Sequence, residues 1–208
     1  MRSLTSRRYA GASADERRAR RRAALVEAGL DLLGTEGVSA MTVRAVCARA
    51  GLTERYFYES FAERDALILA VFDEVAAGGT AAIVSAVESA PADPHGTAVA
   101  AFGAFVEYLT EDRRRGRVLL LEAHGSEPLQ RRRLEALRGF ALLTVEHGRP
   151  RLGPSAPNET DALLTATVLV GGLAELLISW LNGDLDVPRE RLVHHCAALL
   201  VAGAAVRS

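Results

Sequence analysis

Residues 42–67, TVRAVCARAGLTERYFYESFAERDAL, hold the side chains best suited to chemistry with a partner. Thr42, Arg44, Thr53, Glu54, Arg55, Tyr56, Tyr58 and Arg64 all fall there, and four of the chain's eleven aromatic residues lie at positions 56–61. A short helix cannot bury both Tyr56 and Tyr58 behind Phe57 and Phe61. Exposed tyrosines beside arginine suit a nucleic-acid backbone, since the hydroxyl donates to phosphate and the ring stacks on sugars. Taken singly, Arg44 and Arg55 are ordinary solvated charges that could pair with Glu54 or Glu59. Glu54 fits least well, because phosphates repel a carboxylate unless it accepts from cytosine N4. Other chemistries lack their residues. Cys47 and Cys196 are far apart and have no partners at metal spacing. Glu122 and His124 are two apart, which is not the Glu-x-x-His of di-metal bundles. There is no phosphate-binding loop, nucleophile elbow or catalytic Cys–His signature. No metal, no cofactor and no enzymatic activity are expected.

The elements around this segment all read as helices. Ser13-Ala-Asp-Glu16 is a capping box, and Leu25, Ala28, Gly29, Leu32 and Leu33 follow at helical spacing until Gly34 and Gly37. Thr42 caps a short helix through Val46 and Cys47 that Gly51 stops, and Thr53 can cap a third with Phe57 facing inward. Gly51 permits the tight turn between them. Val46, Leu52 and Phe57 lock the pair together. Ser60-Phe-Ala-Glu63 opens a fourth helix with the stripe Leu67, Ile68, Val71, Phe72 and Val75, expected to fray at Gly78-Gly79. Further helices are predicted over 80–89, 95–111, 113–124, 127–147, 159–181 and 188–205, with a proline-containing loop over 149–158. The class is all-α, with neither strand alternation nor internal repeat. The expected organisation is an Arg-rich flexible arm over 1–12, a three-helix helix-turn-helix unit over 13–61, and a C-terminal helical bundle over 62–208.

The net charge of −1 argues against a nucleic-acid partner until it is divided by position. Residues 1–22 carry eight Arg against Asp15 and Glu16, a net of +6, and residues 73–208 carry a net of −4. All 25 basic residues are Arg. The Arg run is either a DNA-contacting arm or a solvated helix face. The run from Ala162 to Leu181 is long enough to span a bilayer. Glu175 and the acidic flanks, without an adjacent Arg anchor, favour burial in a soluble assembly and hence a second copy of the chain. The Arg-rich start lacks the apolar stretch of a secretory signal, so a cytoplasmic location is expected, with no membrane partner.

Thr42, Ala50-Gly51-Leu52-Thr53, Phe57-Tyr58, Phe61, Arg64 and Leu67 match in register the motif of TetR-type (TetR/AcrR) transcriptional regulators, which residues 20–72 therefore resemble. The resemblance implies a DNA-binding regulator. It assigns Arg44 to base reading, where an arginine can be bidentate to guanine O6 and N7. It places Thr53, Glu54, Arg55 and Tyr56 on the exposed half of a recognition helix and gives phosphate contacts to Tyr58, Arg64 and Thr42. Arg7, Arg8, Arg17 and Arg18 could reach adjacent phosphates or a minor groove. Many family members carry glycine at Arg55 and a small residue at Tyr56, so no operator sequence transfers to this chain.

The same resemblance implies a homodimer on a palindromic double-stranded DNA operator, acting as a repressor released by a small, largely apolar effector. Two recognition helices about one DNA turn (~34–36 Å) apart supply the specificity that a monomer lacks. The helices over 159–181 and 188–205, with Leu169, Gly172, Leu173, Leu176, Ala197 and Val201, are the expected interface. Phe102, Phe105, Tyr108, His124, Phe140 and Trp180 are candidate pocket residues, although aromatics at helical spacing also serve as plain core. Effector binding is expected to pivot the fourth helix and change the spacing. Control by a protein partner, with no small ligand, is the alternative, and a helical-bundle enzyme a remote one.

Overall fold

The computed structural model describes residues 13–122 and 126–204. The expected arm over 1–12 and His124 lie outside them. The described residues form helices joined by short turns, with no strand among them.

Helix α1 (Ala14–Thr35) opens with a reciprocal cap. Ser13 Oγ accepts from Glu16 N–H at 3.1 Å, and Glu16 Oε2 accepts from Ser13 N–H at 2.7 Å. Its buried stripe is Leu25, Val26, Ala28, Leu32 and Leu33. Helix α2 (Val43–Ala50) is capped by Thr42, whose Oγ1 accepts from Ala45 N–H at 3.1 Å. Gly51 then takes φ +64°, a left-handed conformation that glycine adopts without a Cβ penalty. Helix α3 (Glu54–Tyr58) follows at once. Thr53 stands at its cap position, but its side chain makes no capping bond.

Helix α4 (Arg64–Ser89) corrects two expectations. It starts at Arg64, with Glu63 and not Ser60 before it, and it runs unbroken through Gly78 and Gly79. These glycines are sites of close approach and do not end the helix. Rings from helix α5 (Pro94–Glu111) press on both: a Cβ at Gly78 would meet Tyr108 Cζ at 2.7 Å, and one at Gly79 would meet Phe105 Cε2 at 2.9 Å. Gly78→Ala should therefore overpack the α4–α5 contact. The expected cost of about 1–3 kcal/mol would lower the melting temperature by several degrees in a thermal denaturation scan.

Beyond α5 the chain makes a four-residue helix, α6 (Arg113–Gly116), and passes directly into a π-helical turn over Arg117–Leu121. Helix α7 (Glu127–Leu152) runs into the segment expected to be a loop and contains Pro150. Arginines hold its last turn. Arg149 Nε donates to Pro157 O at 3.1 Å, and Arg151 donates to His147 O at 2.7 Å and to Val87 O at 3.1 Å. Helix α8 (Glu159–Leu181) is capped by Asn158, and helix α9 (Arg189–Ala204) completes the described chain.

One core runs through the molecule. Leu25, Leu33, Val46, Phe57, Leu67 and Phe72 fill the end made by α1–α4, and Val106, Leu109, Leu129, Leu177 and Cys196 fill the other. α4 joins the two, packing on α1, α5 and α7. Helices α4 and α8 are long and apolar enough to cross a membrane. Both pack within the bundle, α8 against α7 and α9, but α8 leaves Leu164 62% and Val168 73% exposed.

Candidate nucleic-acid interface

α2 and α3 are too short to hold a shape alone, since helices below about 12 residues are marginal in water. Burial of one face fixes them. Val46 and Phe57 are fully buried and Phe61 nearly so, with the Phe57 and Phe61 rings 5.8 Å apart. With Phe57 turned inward, the helical period turns Thr53, Glu54, Arg55 and Tyr58 outward, and all four are exposed. Tyr58 is 57% exposed and rests its ring edge-on against Phe57 at 5.4 Å. Thr42, Arg44 and Arg64 are exposed too, so hydroxyls, guanidinium groups and a phenol project together from α2, α3 and the start of α4. The uncapped Thr53 leaves its hydroxyl free of the helix terminus.

Two predicted positions differ from simple exposure. Tyr56 is half-buried, with the Arg21 guanidinium 4.5 Å from its ring centroid. Arg55 Nε lies 3.3 Å from Glu59 Oε1, a pair one helical turn apart, yet its side chain stays 84% exposed. Such a pair is weak in water and yields easily to phosphate.

The arginine run of α1 divides by face. Arg18 donates to Glu59 O at 2.7 Å, capping the C-terminal end of α3 with a cation, which the helix dipole favours. Arg21 reaches Glu59 Oε2 at 3.4 Å, and Arg22 lies over the Phe61 ring at 5.1 Å. These arginines hold the back of α3 and so aim its front. On the other side, Arg49 of α2 pairs with Asp31 and with Glu36 at 2.9 Å.

Behind this unit, α6 and the π turn grip α1. Arg114 meets Asp112 at 2.7 Å, Glu27 at 2.9 Å and Asp31 at 3.4 Å. The Arg114 hydrogen bonds hold the Asp112 carboxyl below its usual range and, reciprocally, raise Arg114. Arg117 donates to Thr35 O at 2.8 Å and to Glu122 Oε1 at 2.9 Å, and Glu122 Oε2 accepts from Val38 N–H at 3.2 Å. Leu119 and Leu120 of the same turn line a cavity enclosed by α4, α5, α7, α8 and α9.

That cavity has a volume of about 210 Å³ and mostly apolar walls. Phe102, Phe105 and Phe140 line it, with the last two rings edge-to-face at 5.2 Å. Tyr108 and Trp180 do not. Tyr108 lies between Gly78 and Arg115, and Trp180 Nε1 donates to Val187 O at 2.9 Å, bracing the α8–α9 turn. The residues expected at a dimer interface also separate. Leu169, Leu173 and Val201 line the cavity, Ala197 is fully buried, and Leu176 is half-buried against the core. Gly172 lies on the outer face of α8 with Leu163, Leu164 and Val168, and Leu199 of α9 is exposed as well. Both thiols are buried, and burial raises them, that of Cys196 to about 11.

A cation-backed α3 turned outward against a fixed α2 is the arrangement of a helix-turn-helix reader. Residues 25–71 match the family model of bacterial regulatory proteins of the tetR family. Over this segment the chain is similar to that family. Among curated proteins, none matches the chain. Solved structures share its fold along most of its length. A fatty acid degradation regulator, FadR from Bacillus halodurans, is 19% identical, with a TM-score of 0.74 over 86% of this chain and 94% of its own. FadR from Bacillus subtilis in complex with stearoyl-CoA is 16% identical, with a TM-score of 0.74 over 87% and 98%. A tetR-family regulator from Streptomyces coelicolor is 17% identical, with a TM-score of 0.68 over 90% and 83%.

Sequence reasoning missed the supporting residues of this unit more than its exposed ones. Glu59, Glu122, Arg114 and Arg117 carry long-range contacts that no spacing announces. Arg18, Arg21 and Arg22 were legible only as a charge run, and their one-face spacing was the available signal.

Proposed function

We propose that this chain is a homodimeric, cytoplasmic repressor that holds a palindromic operator and releases it when a small, largely apolar ligand fills the C-terminal cavity. The observation that carries this reading is the π turn, which touches the cavity through Leu119 and Leu120 and holds the end of α1 through Arg117, while Glu122, the next residue, holds Val38 just beyond α1. One five-residue element thus meets both the ligand space and the helix that braces α3. π-helical insertions recur at functional sites.

The DNA contacts follow from exposure. Arg44 reads a guanine, Thr53, Glu54, Arg55 and Tyr56 face the groove edge, and Thr42, Tyr58 and Arg64 hold phosphates. Tyr56 acts from beneath Arg21, so it positions as much as it reads. The outer faces of α8 and α9, with Leu164, Val168, Gly172 and Leu199, meet those of a second copy, which covers an apolar patch otherwise left in water. The stearoyl-CoA bound to the Bacillus subtilis relative supports a ligand with a long apolar portion. Ligand binding favours a state in which α4 has pivoted, and it shifts the equilibrium only by its differential affinity for the two states. The chain needs no metal, cofactor, membrane or catalysis for this.

Selection of bound DNA from random duplexes by the purified protein tests the reading. The expected product is a palindrome with half-sites about one turn (~34–36 Å) apart. Arg44→Ala should relax one position in each half-site, with a loss of roughly ten- to a hundred-fold against the preferred base. Tyr58→Phe should weaken all sequences alike. Unstructured selection products, or both variants binding as the parent does at moderate salt, would refute it.

A further inference from the structure

The cavity is not uniformly apolar. Arg133 of α7 lines it with a side chain only 15% exposed. One nitrogen of its guanidinium, Nη2, donates to Glu175 Oε1 at 2.5 Å, and Glu175 is itself largely in water. The Nε–H is buried and has no hydrogen-bond partner. A buried donor on a cation that lacks an acceptor is costly, so native proteins seldom leave one without a use. Around it the described lining holds no carboxylate, and its other polar side chains include His147, whose Nδ1 lies 3.1 Å from Leu143 O, and Thr165. The cavity's described lining includes Arg133, Arg149 and Arg151 and no Asp or Glu. The hydroxyl of Thr144 is turned to Phe140 O and that of Thr97 to Pro91 O. Arg149 and Arg151 are committed to main-chain carbonyls at the α7 terminus. The space therefore combines mostly apolar walls with a largely buried cation whose Nε–H has no acceptor.

The geometry points to an effector with an apolar body that ends in a carboxylate, held by the Arg133 guanidinium. This rests on the proposed ligand reading and narrows it to a chemical class. The carboxylate accepts a charge-assisted hydrogen bond, which is stronger and shorter than a neutral one. Arg133 is already largely withdrawn from water before the ligand arrives. The apolar body occupies the space among Phe102, Phe105, Phe140 and Leu173. Glu175 offsets part of the Arg133 charge from the surface side and keeps the guanidinium from swinging out.

Isothermal titration of the full-length protein with four probes tests this. Decanoate and 2-naphthoate carry the carboxylate on a chain and on a ring system; decanol and 2-naphthol are their neutral counterparts. At least one carboxylate should bind ten-fold or more tightly than its alcohol. Arg133→Met should remove that preference while the alcohols bind as before. Glu175→Gln, which removes the α7–α8 ion pair and leaves Nε in place, should keep or strengthen carboxylate binding. Alcohols that match their carboxylates on the unmodified protein would overturn the carboxylate site and leave the apolar-ligand reading standing. A Glu175→Gln loss equal to that of Arg133→Met would reduce Arg133 to a brace between helices and also overturn the site. Failure of all four probes to bind would overturn both the site and the ligand reading.

Discussion

Phe57→Ala should abolish operator binding while the C-terminal bundle stays folded. Phe57 is fully buried on a five-residue helix, against Phe61 and the edge of Tyr58. Truncating a buried phenylalanine costs about 3–5 kcal/mol, because transfer energy is lost and a cavity is left. α3 has no internal stability to set against that loss, since a helix of its length does not persist without tertiary packing. Its capping Thr53 makes no side-chain bond that would help. Freed from Phe57, α3 also drifts from the Arg18 and Arg21 contacts that aim it. Thermal unfolding followed by circular dichroism should show an early transition for the N-terminal helices, ahead of the main one. Fluorescence anisotropy with a labelled operator should show no specific binding. Phe57→Leu, which keeps most of the volume, should retain binding. An alanine variant with parental operator affinity would contradict this account of the reader.

The second large effect is expected at the junction. Glu122→Ala should leave ligand binding intact and uncouple it from DNA. Glu122 is mostly buried, at 17% exposure, and holds both Val38 N–H and Arg117. Without it, the π turn keeps its apolar contacts with the cavity and loses its hold on the segment after α1. Allosteric couplings of 1–3 kcal/mol correspond to a change of about 5–150-fold in affinity. In the variant, the ratio of operator affinities without and with ligand should fall to within about two-fold of unity. The measurement is a pair of operator titrations, with and without saturating ligand, beside a direct ligand titration. An undiminished ratio would place the coupling elsewhere, for example through α4 alone. The neighbouring Asp112–Arg114 cluster adds a pH signature. The Asp112 carboxyl is depressed in the folded state, so its contribution is present above the ordinary aspartate range and is lost as pH falls through the depressed value.

Much of the helix-turn-helix surface was legible in sequence because its signals are local. Ser13 and Glu16, Thr42 and Gly51 act within one or two turns, and the structure places them as the caps and the turn that their types suggest. Phe57 inward implies Tyr58 and Arg55 outward by helical period alone. Gly78 and Gly79 misled for the opposite reason. A glycine pair reads as a break from within its own helix, and only the Tyr108 and Phe105 rings of α5 give it a different purpose. Pro150 misled similarly, because the arginines that hold the last turn of α7 reach across to Pro157 and Val87.

The apolar helix over 159–181 marks the limit most clearly. It is apolar on every face, so no period distinguishes the side that meets the cavity from the side left in water. Leu169, Leu173 and Val201 face the cavity, and Leu164 and Val168 face out, through packing against α7 and α9. The same holds for Arg133, whose unfilled donor exists only because five helices close around it. By itself, the sequence determined the all-α class, the helix-turn-helix with its exposed Arg44 and Tyr58, and the division of charge along the chain. These depend on side-chain type and on spacings of a few residues. Tertiary structure alone decided which arginines brace α3, how the π turn joins cavity to α1, and where a buried cation waits for an acceptor. Those depend on contacts between residues tens of positions apart, whose energies arise only when the helices pack.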